Sequence, residues 1–314
     1  VQPGTNAIYS ISSDVHNFLT STQAPNQTDT ITNKLSVASL AATKTWVDQT
    51  NKFNMRPTSI TFKVQSSKDN GTTWANYSPA GIDVTFTSTV SATDGSLTGG
   101  LSNLPRYDTT GTVIQYRAVE LSFTYGDVTN TVYRSGNQIG DYTAAEGTTT
   151  YDAANGYSTA LTNTLQTGSI SISKAWVNTN QSLTQPTSAV FTLTAHTDKT
   201  TYTLPASVVN PVKLEAASWA DSTSWKDLPL KDAYGDTITY TVTETTPAGY
   251  YASYQIGTTT TVKAAASITL SENTTTPIAY TNTMIPASIS KEDQSGNKIA
   301  GAEFELTGSF ADES

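Results

Sequence analysis

Apolar and polar residues alternate with a period of two along most of the chain. In SITFKVQSS, VIQYRAVELSFTY, AVFTLTAHT and TITYTVTE apolar and polar residues alternate, and the runs are rich in Thr, Val, Ile and Tyr. That pattern predicts short, half-buried strands. Turn-forming clusters separate them: KDNG, ATDG, AYGD and QSGN. No long stretch has the 3.6-residue period of an amphipathic helix, and only AAEGTTTYDAANGY is left open between a helical turn and a loop. Many short strands joined by Gly and Asp turns predict an all-β protein built of antiparallel sandwiches.

The alternation places some polar residues with the apolar set. In ISISKAWVN, Ile170, Ile172, Lys174 and Trp176 share a face, and in LAATKTWVD so do Leu40, Ala42, Lys44 and Trp46. Glu120 is in phase with Ile114, Tyr116 and Ala118, as Glu244 is with Ile238, Tyr240 and Val242. Asn163 lies in phase with Leu161 and Leu165, and Asn282 with Ile278, Tyr280 and Met284. A single inward lysine is explained by an edge-strand charge or a snorkelling side chain. A Lys, Glu and Asn set occurring twice is not.

Comparing the chain with itself makes the repetition explicit. TKTWVDQTNKFNMRPTSITFKV aligns with SKAWVNTNQSLTQPTSAVFTL, LSNLPRYDTTGTVIQYRAVE with WKDLPLKDAYGDTITYTVTE, and ALTNTL with AYTNTM. Lys44 precedes Glu120 by about 76 positions and Lys174 precedes Glu244 by about 70. Glu120 precedes Asn163 by about 43 and Glu244 precedes Asn282 by about 38, so these are two copies of one domain.

Composition narrows the function. Of 314 residues only 14% are charged, against roughly 25% in ordinary soluble proteins. Thr, Ser and Asn supply the polar surface instead. A net charge of −9 without a basic run argues against nucleic acid as a partner. No apolar run has membrane-spanning length, so no membrane insertion is expected. The absence of cysteine excludes disulfides, thiolate metal sites and thiol nucleophiles. His16 and His196 are isolated, so neither a metal nor a cofactor is expected. Trp46 and Trp176 read as core or shielding residues. The chain is expected to be a fragment of something longer.

Burying an unpaired ammonium or carboxylate is prohibitively costly, so the inward Lys and Glu must meet partners or lose their charge. Desolvation lowers a lysine pKa and raises that of a glutamate, which makes a neutral amine and a neutral acid accessible together. An amine held against the Asn carboxamide is then a nucleophile at high effective concentration. The Glu can polarise the carboxamide and shuttle protons as ammonia leaves. The product is a Lys–Asn amide.

TKTWVD…RPTS…LPRYD…YRAVE…LTNTL and SKAWVN…QPTS…LPLKD…YTVTETTPAGYY…AYTNT resemble the B-type repeat domains (CnaB domains) of collagen-adhesin-like surface proteins and pilins of Gram-positive bacteria. The resemblance implies tandem immunoglobulin-like β-sandwiches, each with a self-formed isopeptide bond between a first-strand Lys and a last-strand Asn, assisted by a Glu. The bonds would join Lys44 to Asn163 with Glu120, and Lys174 to Asn282 with Glu244. The first copy departs from the pattern after its Glu, with ELSFTYGD in place of ETTPAGYY. Both ends resemble further pieces of such domains. ASISKEDQSGNKIAGAEFELTG puts Lys291 in the reactive position, and DTITNKL puts Asn33 in a terminal strand. YSISS aligns with YTVTE, placing Ser13 at the acid position with Asp14 one residue out of phase. The expected division is 1–35 as the end of a preceding domain, 36–166 and 167–285 as complete domains, and 286–314 as the start of a following one.

The favoured function is a structural stalk or fibre segment of an extracellular, cell-surface adhesin or pilus-like protein. It would be attached to the cell wall through a missing C-terminal region, with crosslinks that keep tension from unzipping a domain. Its partners would be neighbouring domains of the same protein and a host matrix or glycan reached through the full-length protein; head-to-tail self-association of a second copy through the partial domains of Asn33 and Lys291 is expected to be non-covalent at most. The alternative is a ligand-binding module recognising host matrix or glycan through variable loops, best represented by DYTAAEGTTTYDAANGY with Tyr142, Tyr151 and Tyr157. A conventional enzyme is not expected, since each amide would form once.

Overall fold

The computed structural model of the chain describes residues 9–11, 33–126, 128–178, 184–199, 201–286, 290–301 and 303. Among these the regular structure is β, apart from a 3-10 turn at Val128–Asn130. Two immunoglobulin-like β-sandwiches follow one another, each formed by two facing sheets.

In the first sandwich the opening strand, Val37–Val47, lies between Gly100–Pro105 and the closing strand, Gly156–Leu165. It runs parallel to the closing strand and antiparallel to the other. The facing sheet is centred on Ser59–Ser67, flanked by Thr85–Val90 and by the acid strand, Gln115–Thr124. The second sandwich repeats the plan. Its opening strand Thr167–Val177 is parallel to the closing strand Thr275–Met284 and antiparallel to Ala220–Pro229. Across the core, Ser188–His196 pairs with the acid strand Thr239–Glu244.

Alternation drives this arrangement, since one face of each strand is covered and the other wet. Phe62 and Tyr116 in one core, and Phe191, Tyr240 and Tyr280 in the other, are fully buried. Each core also satisfies a tyrosine hydroxyl in the same way: Tyr116 donates to the Pro105 carbonyl and Tyr240 to that of Pro229, both at 2.7 Å. An aspartate-capped turn recurs as well. Asp108 Oδ1 accepts from the amides of Thr110 and Thr112, and Asp232 Oδ1 from those of Tyr234 and Asp236. Asp293 Oδ1 does the same with Ser295 and Asn297.

The two sandwiches differ where their sequences diverge after the acid. In the second, Ala265–Thr269 covers the free edge of the acid strand. In the first, Thr131–Tyr133 pairs with that edge, and further along Thr159 Oγ1 accepts the Ala118 amide at 2.9 Å. AAEGTTTYDAANGY is neither helix nor loop: Tyr142–Asp152 pairs with the closing strand in a hairpin with a register shift between Glu146 and Thr149. Its outer half is exposed on both faces, so the apolar alternation that marks a strand is missing there.

Near the N-terminus, Tyr9–Ile11 pairs antiparallel with Asn33–Leu35, with Tyr9 opposite Leu35 and Ile11 opposite Asn33. The strand beside each closing strand has the same register. Tyr142 stands opposite Leu165 and Ala144 opposite Asn163, and Tyr250 stands opposite Met284 and Ala252 opposite Asn282. Tyr9–Ile11 therefore matches the neighbour of a closing strand, where the sequence alignment made it an acid strand. Ser13 and Asp14 lie outside the described residues.

Only Gln166 separates Leu165 from Thr167, and the sandwiches meet around it. The Gln166 amide donates to the Asp141 carbonyl, and Gln166 Nε2 donates to Glu272 at 3.1 Å. The Leu230 amide donates to Asp141 Oδ2 at 2.9 Å. Tyr125 and Tyr234 meet edge to face at 5.4 Å.

Candidate functional site

The parallel pairing of opening and closing strands places the candidate residues. Lys44 stands opposite Leu161 and Trp46 opposite Asn163; Lys174 stands opposite Tyr280 and Trp176 opposite Asn282. Each lysine is thus two positions before its asparagine on the adjacent strand and on the same face, a diagonal within reach of a four-carbon side chain. The acid comes from the facing sheet. Glu120 is opposite Phe62 and Glu244 opposite Phe191, positions that match in the repeat. In the first sandwich a register shift follows at Thr61, leaving Leu121 as an extra residue beside the acid, the kind of bulge that re-aims a side chain.

All six side chains converge in the two cores. The Lys44 and Glu120 side chains are fully buried and form an ion pair, as are and do those of Lys174 and Glu244, with Lys174 Nζ 3.1 Å from Glu244 Oε1. Asn163 and Asn282 are also fully buried. Asn282 Nδ2 donates to Glu244 Oε1 at 2.8 Å, so one carboxylate oxygen touches both the amine and the carboxamide nitrogen. Neither polar atom of the Asn163 carboxamide has a hydrogen-bond partner among the described residues, and Asn282 Oδ1 has none. Buried amides are ordinarily satisfied, so these orphaned atoms stand out in the two cores.

Burial shifts the lysines and Glu244 toward their neutral forms. Burial pushes both lysines down to about 8, against the opposing pull of Glu120 and Glu244. Burial likewise raises Glu244, although Lys174 and the Asn282 amide oppose it. In the Lys174–Glu244 pair burial thus lowers the cost of passing an amine proton to the carboxylate.

A tryptophan lies over each lysine, as the sequence suggested for a shielding residue. Lys44 Nζ is 5.1 Å from the Trp46 ring centre and Lys174 Nζ 4.4 Å from that of Trp176. What the sequence reading missed is the support behind each indole. Tyr142 meets Trp46 edge-on at 5.2 Å, and its hydroxyl donates to Asp48 at 3.2 Å. Tyr250 meets Trp176 edge-on at 5.2 Å, and its hydroxyl donates to Asn178 at 2.9 Å. The repeated motifs WVD and WVN carried this signal, since Asp48 and Asn178 occupy matching places.

Other candidates fare differently. Tyr142 and Tyr157 are buried and only Tyr151 of that trio is exposed, so the expected aromatic binding surface does not exist. Lys291 is exposed before the Asp293 turn and, among the described residues, belongs to no Lys–Glu–Asn group. Asn33 stands opposite Ile11 on its short strand. His196 is exposed, and His16 lies outside the described residues. Among the described residues no cluster of His, Asp or Glu could hold a metal.

A model of the Cna protein B-type domain matches the chain twice, over residues 40–164 and 170–270. Among solved structures, the chain is similar to a single B repeat unit (B1) of the collagen-binding surface protein Cna of Staphylococcus aureus. That match has 20% identity and a TM-score of 0.26, covering 80% of this chain and 100% of that one. A second is the major pilin T-13 of Streptococcus pyogenes, at 14% identity and TM-score 0.34, covering 79% and 99%. A third is the pilus adhesin SpaC of Lactobacillus rhamnosus GG, at 13% identity and TM-score 0.29, covering 87% and 33%. No curated protein matches the chain in sequence.

Proposed function

The chain belongs to the Cna protein B-type domain family, and we propose that it is a structural stalk or fibre segment of an extracellular adhesin or pilus-like protein of a Gram-positive cell wall. In this reading residues 36–166 and 167–285 are complete domains, each closed by a self-formed amide, and 1–35 and 286–314 are parts of neighbouring domains. The partners are those neighbours, with any host matrix or glycan contacted elsewhere in the full-length protein. The observation that carries the reading is the twice-built burial of Lys and Asn on adjacent parallel strands with a Glu facing them.

The chemistry follows from that placement. The lysine passes a proton to the glutamate and its free amine attacks the Asn carboxamide carbon, forming a C–N bond. The glutamate then delivers that proton to the carboxamide nitrogen, the C–N bond to that nitrogen breaks and ammonia leaves, while the attacking nitrogen gives up its second proton through the same carboxylate to the departing ammonia, which goes out as ammonium. Nothing is oxidised or reduced, and the glutamate ends as it began. Each site turns over once, which is not enzymatic catalysis in the ordinary sense.

Intact mass tests the reading. The wild-type chain should be lighter than its sequence mass by two ammonia molecules, and Lys44→Ala and Lys174→Ala should each restore one. Glu120→Gln and Glu244→Gln should leave a folded domain largely unreacted. A wild-type chain at full sequence mass would overturn the mechanism. Recognition of host matrix or glycan by this segment has no comparable support, because two of the three tyrosines proposed for it are in the core.

A further inference from the structure

Behind Trp46 the first sandwich carries a polar clamp that amide formation itself does not call for. Asp48 is 2% exposed. It receives Arg56 in bidentate fashion, from Nε at 2.7 Å and Nη2 at 2.8 Å, and also accepts the Asn51 amide at 3.0 Å and the Tyr142 hydroxyl. Such a fork fixes orientation as well as distance. The Arg56 guanidinium lies 5.6 Å from the centre of the Trp46 ring, the ring that also meets the Lys44 ammonium. Trp46 Nε1 donates to the Gly95 carbonyl at 2.9 Å. Gly95 has φ +78°, and a Cβ there would come within 2.6 Å of Arg56 Nη1 and 2.7 Å of Trp46 Cδ1, so this turn rests directly on both.

The second sandwich holds its tryptophan without charge. RPTS becomes QPTS and WVD becomes WVN, so Arg56 is replaced by Gln185 and Asp48 by Asn178 in the same repeat. Losing one charge alone would strand its partner in a buried site, and the two changes together avoid that. Tyr250 bonds Asn178, and Trp219 meets Trp176 at 5.7 Å. Both sandwiches thus keep an indole closed over the lysine, the first with the Asp48–Arg56 ion pair behind it and the second with the Tyr250–Asn178 hydrogen bond and a second indole.

We propose that Asp48, Arg56 and Tyr142 are positioning residues that hold Trp46 shut over Lys44 and Asn163, and so set the rate at which the first sandwich forms its amide. This deepens the crosslinking reading and rests on it. A looser cap admits water, water stabilises the ammonium, and the nucleophile is lost. Arg56 and Asp48 compensate each other, so the clamp acts by geometry.

The test uses the full chain as wild type and as Asp48→Asn, Arg56→Gln, Tyr142→Phe and the double variant Asp48→Asn/Arg56→Gln. Each is purified rapidly and followed by intact mass and peptide mapping at neutral and alkaline pH. The second sandwich serves as the internal control, complete in every variant. Asp48→Asn and Arg56→Gln should join Lys44 to Asn163 on the order of ten- to a hundredfold more slowly at neutral pH, and Tyr142→Phe should lag less. The lag should narrow at alkaline pH, where deprotonation no longer depends on a dry cap, and the double variant, which lacks the fork without stranding a charge, should lag as the single variants do. Single variants that are as fully joined as wild type at the first time point, or a double variant that joins as fast as wild type, would overturn the clamp alone. A wild-type chain that keeps both ammonia molecules would remove the crosslinking reading and the clamp with it.

Discussion

A buried lysine that has not reacted differs from one that has in a simple way: it still titrates. Lys174 is lowered from 10.5 to about 8 in the folded chain, so between those values the unfolded state holds a proton that the folded state lacks. Stability should therefore rise with pH across that window, the penalty being fully present below about 8. We predict this slope in Asn282→Ala, which keeps Lys174 and Glu244 but offers no carboxamide, and its absence in the wild type, where an amide does not titrate. Thermal melts from pH 7.5 to 9.5, compared as the difference between the two chains to cancel the buried tyrosines, would check it. The lysine, glutamate and asparagine were legible in the sequence because a strand's period of two assigns every residue to a face. Asp48 and Arg56 were not, because their meeting depends on a loop between two strands, where that period says nothing.

At the level of elements, the acid strand needs its free edge covered, and the two sandwiches cover it differently. The second uses a whole strand; the first relies in part on one hydroxyl, Thr159 Oγ1, which is buried and accepts the Ala118 amide. Thr159→Val would leave that amide buried without an acceptor, at a cost of about 1–3 kcal/mol. Urea melts should register the loss, and an unchanged midpoint would show that water reaches the edge. The divergence was visible in the sequence as ELSFTYGD against ETTPAGYY, though not its form. The hairpin at Tyr142–Asp152 escaped notice for a related reason, since a strand wet on both faces has no apolar rhythm to read.

Across the whole molecule the joint around Gln166 was invisible in the sequence, because docking pairs residues with no periodic relation. Burial raises Asp141 to about 8, while the Lys231 and Leu230 amides and the Lys231 charge oppose the shift and Asp232 adds to it. The folded chain then holds a proton there that the unfolded chain releases near 3.8. Asp141 should contribute stability that is fully present below that value and lost as pH rises through about 8, and Asp141→Asn should flatten the dependence in urea melts. Lys174→Ala, which would prevent the proposed crosslink from closing a loop of about 110 residues, should cost roughly 5 kcal/mol and expose the second sandwich to protease. The parallel pairing of opening and closing strands has its own consequence for a chain held at both ends. With the proposed amides in place, the backbone path through a sandwich passes from the lysine directly to the asparagine on the next strand. The loop of about 110 residues between them is hidden contour length, on the order of 350 Å that no extension can release. In single-molecule stretching, the wild-type chain should lack that increment, and Lys174→Ala should give it back once.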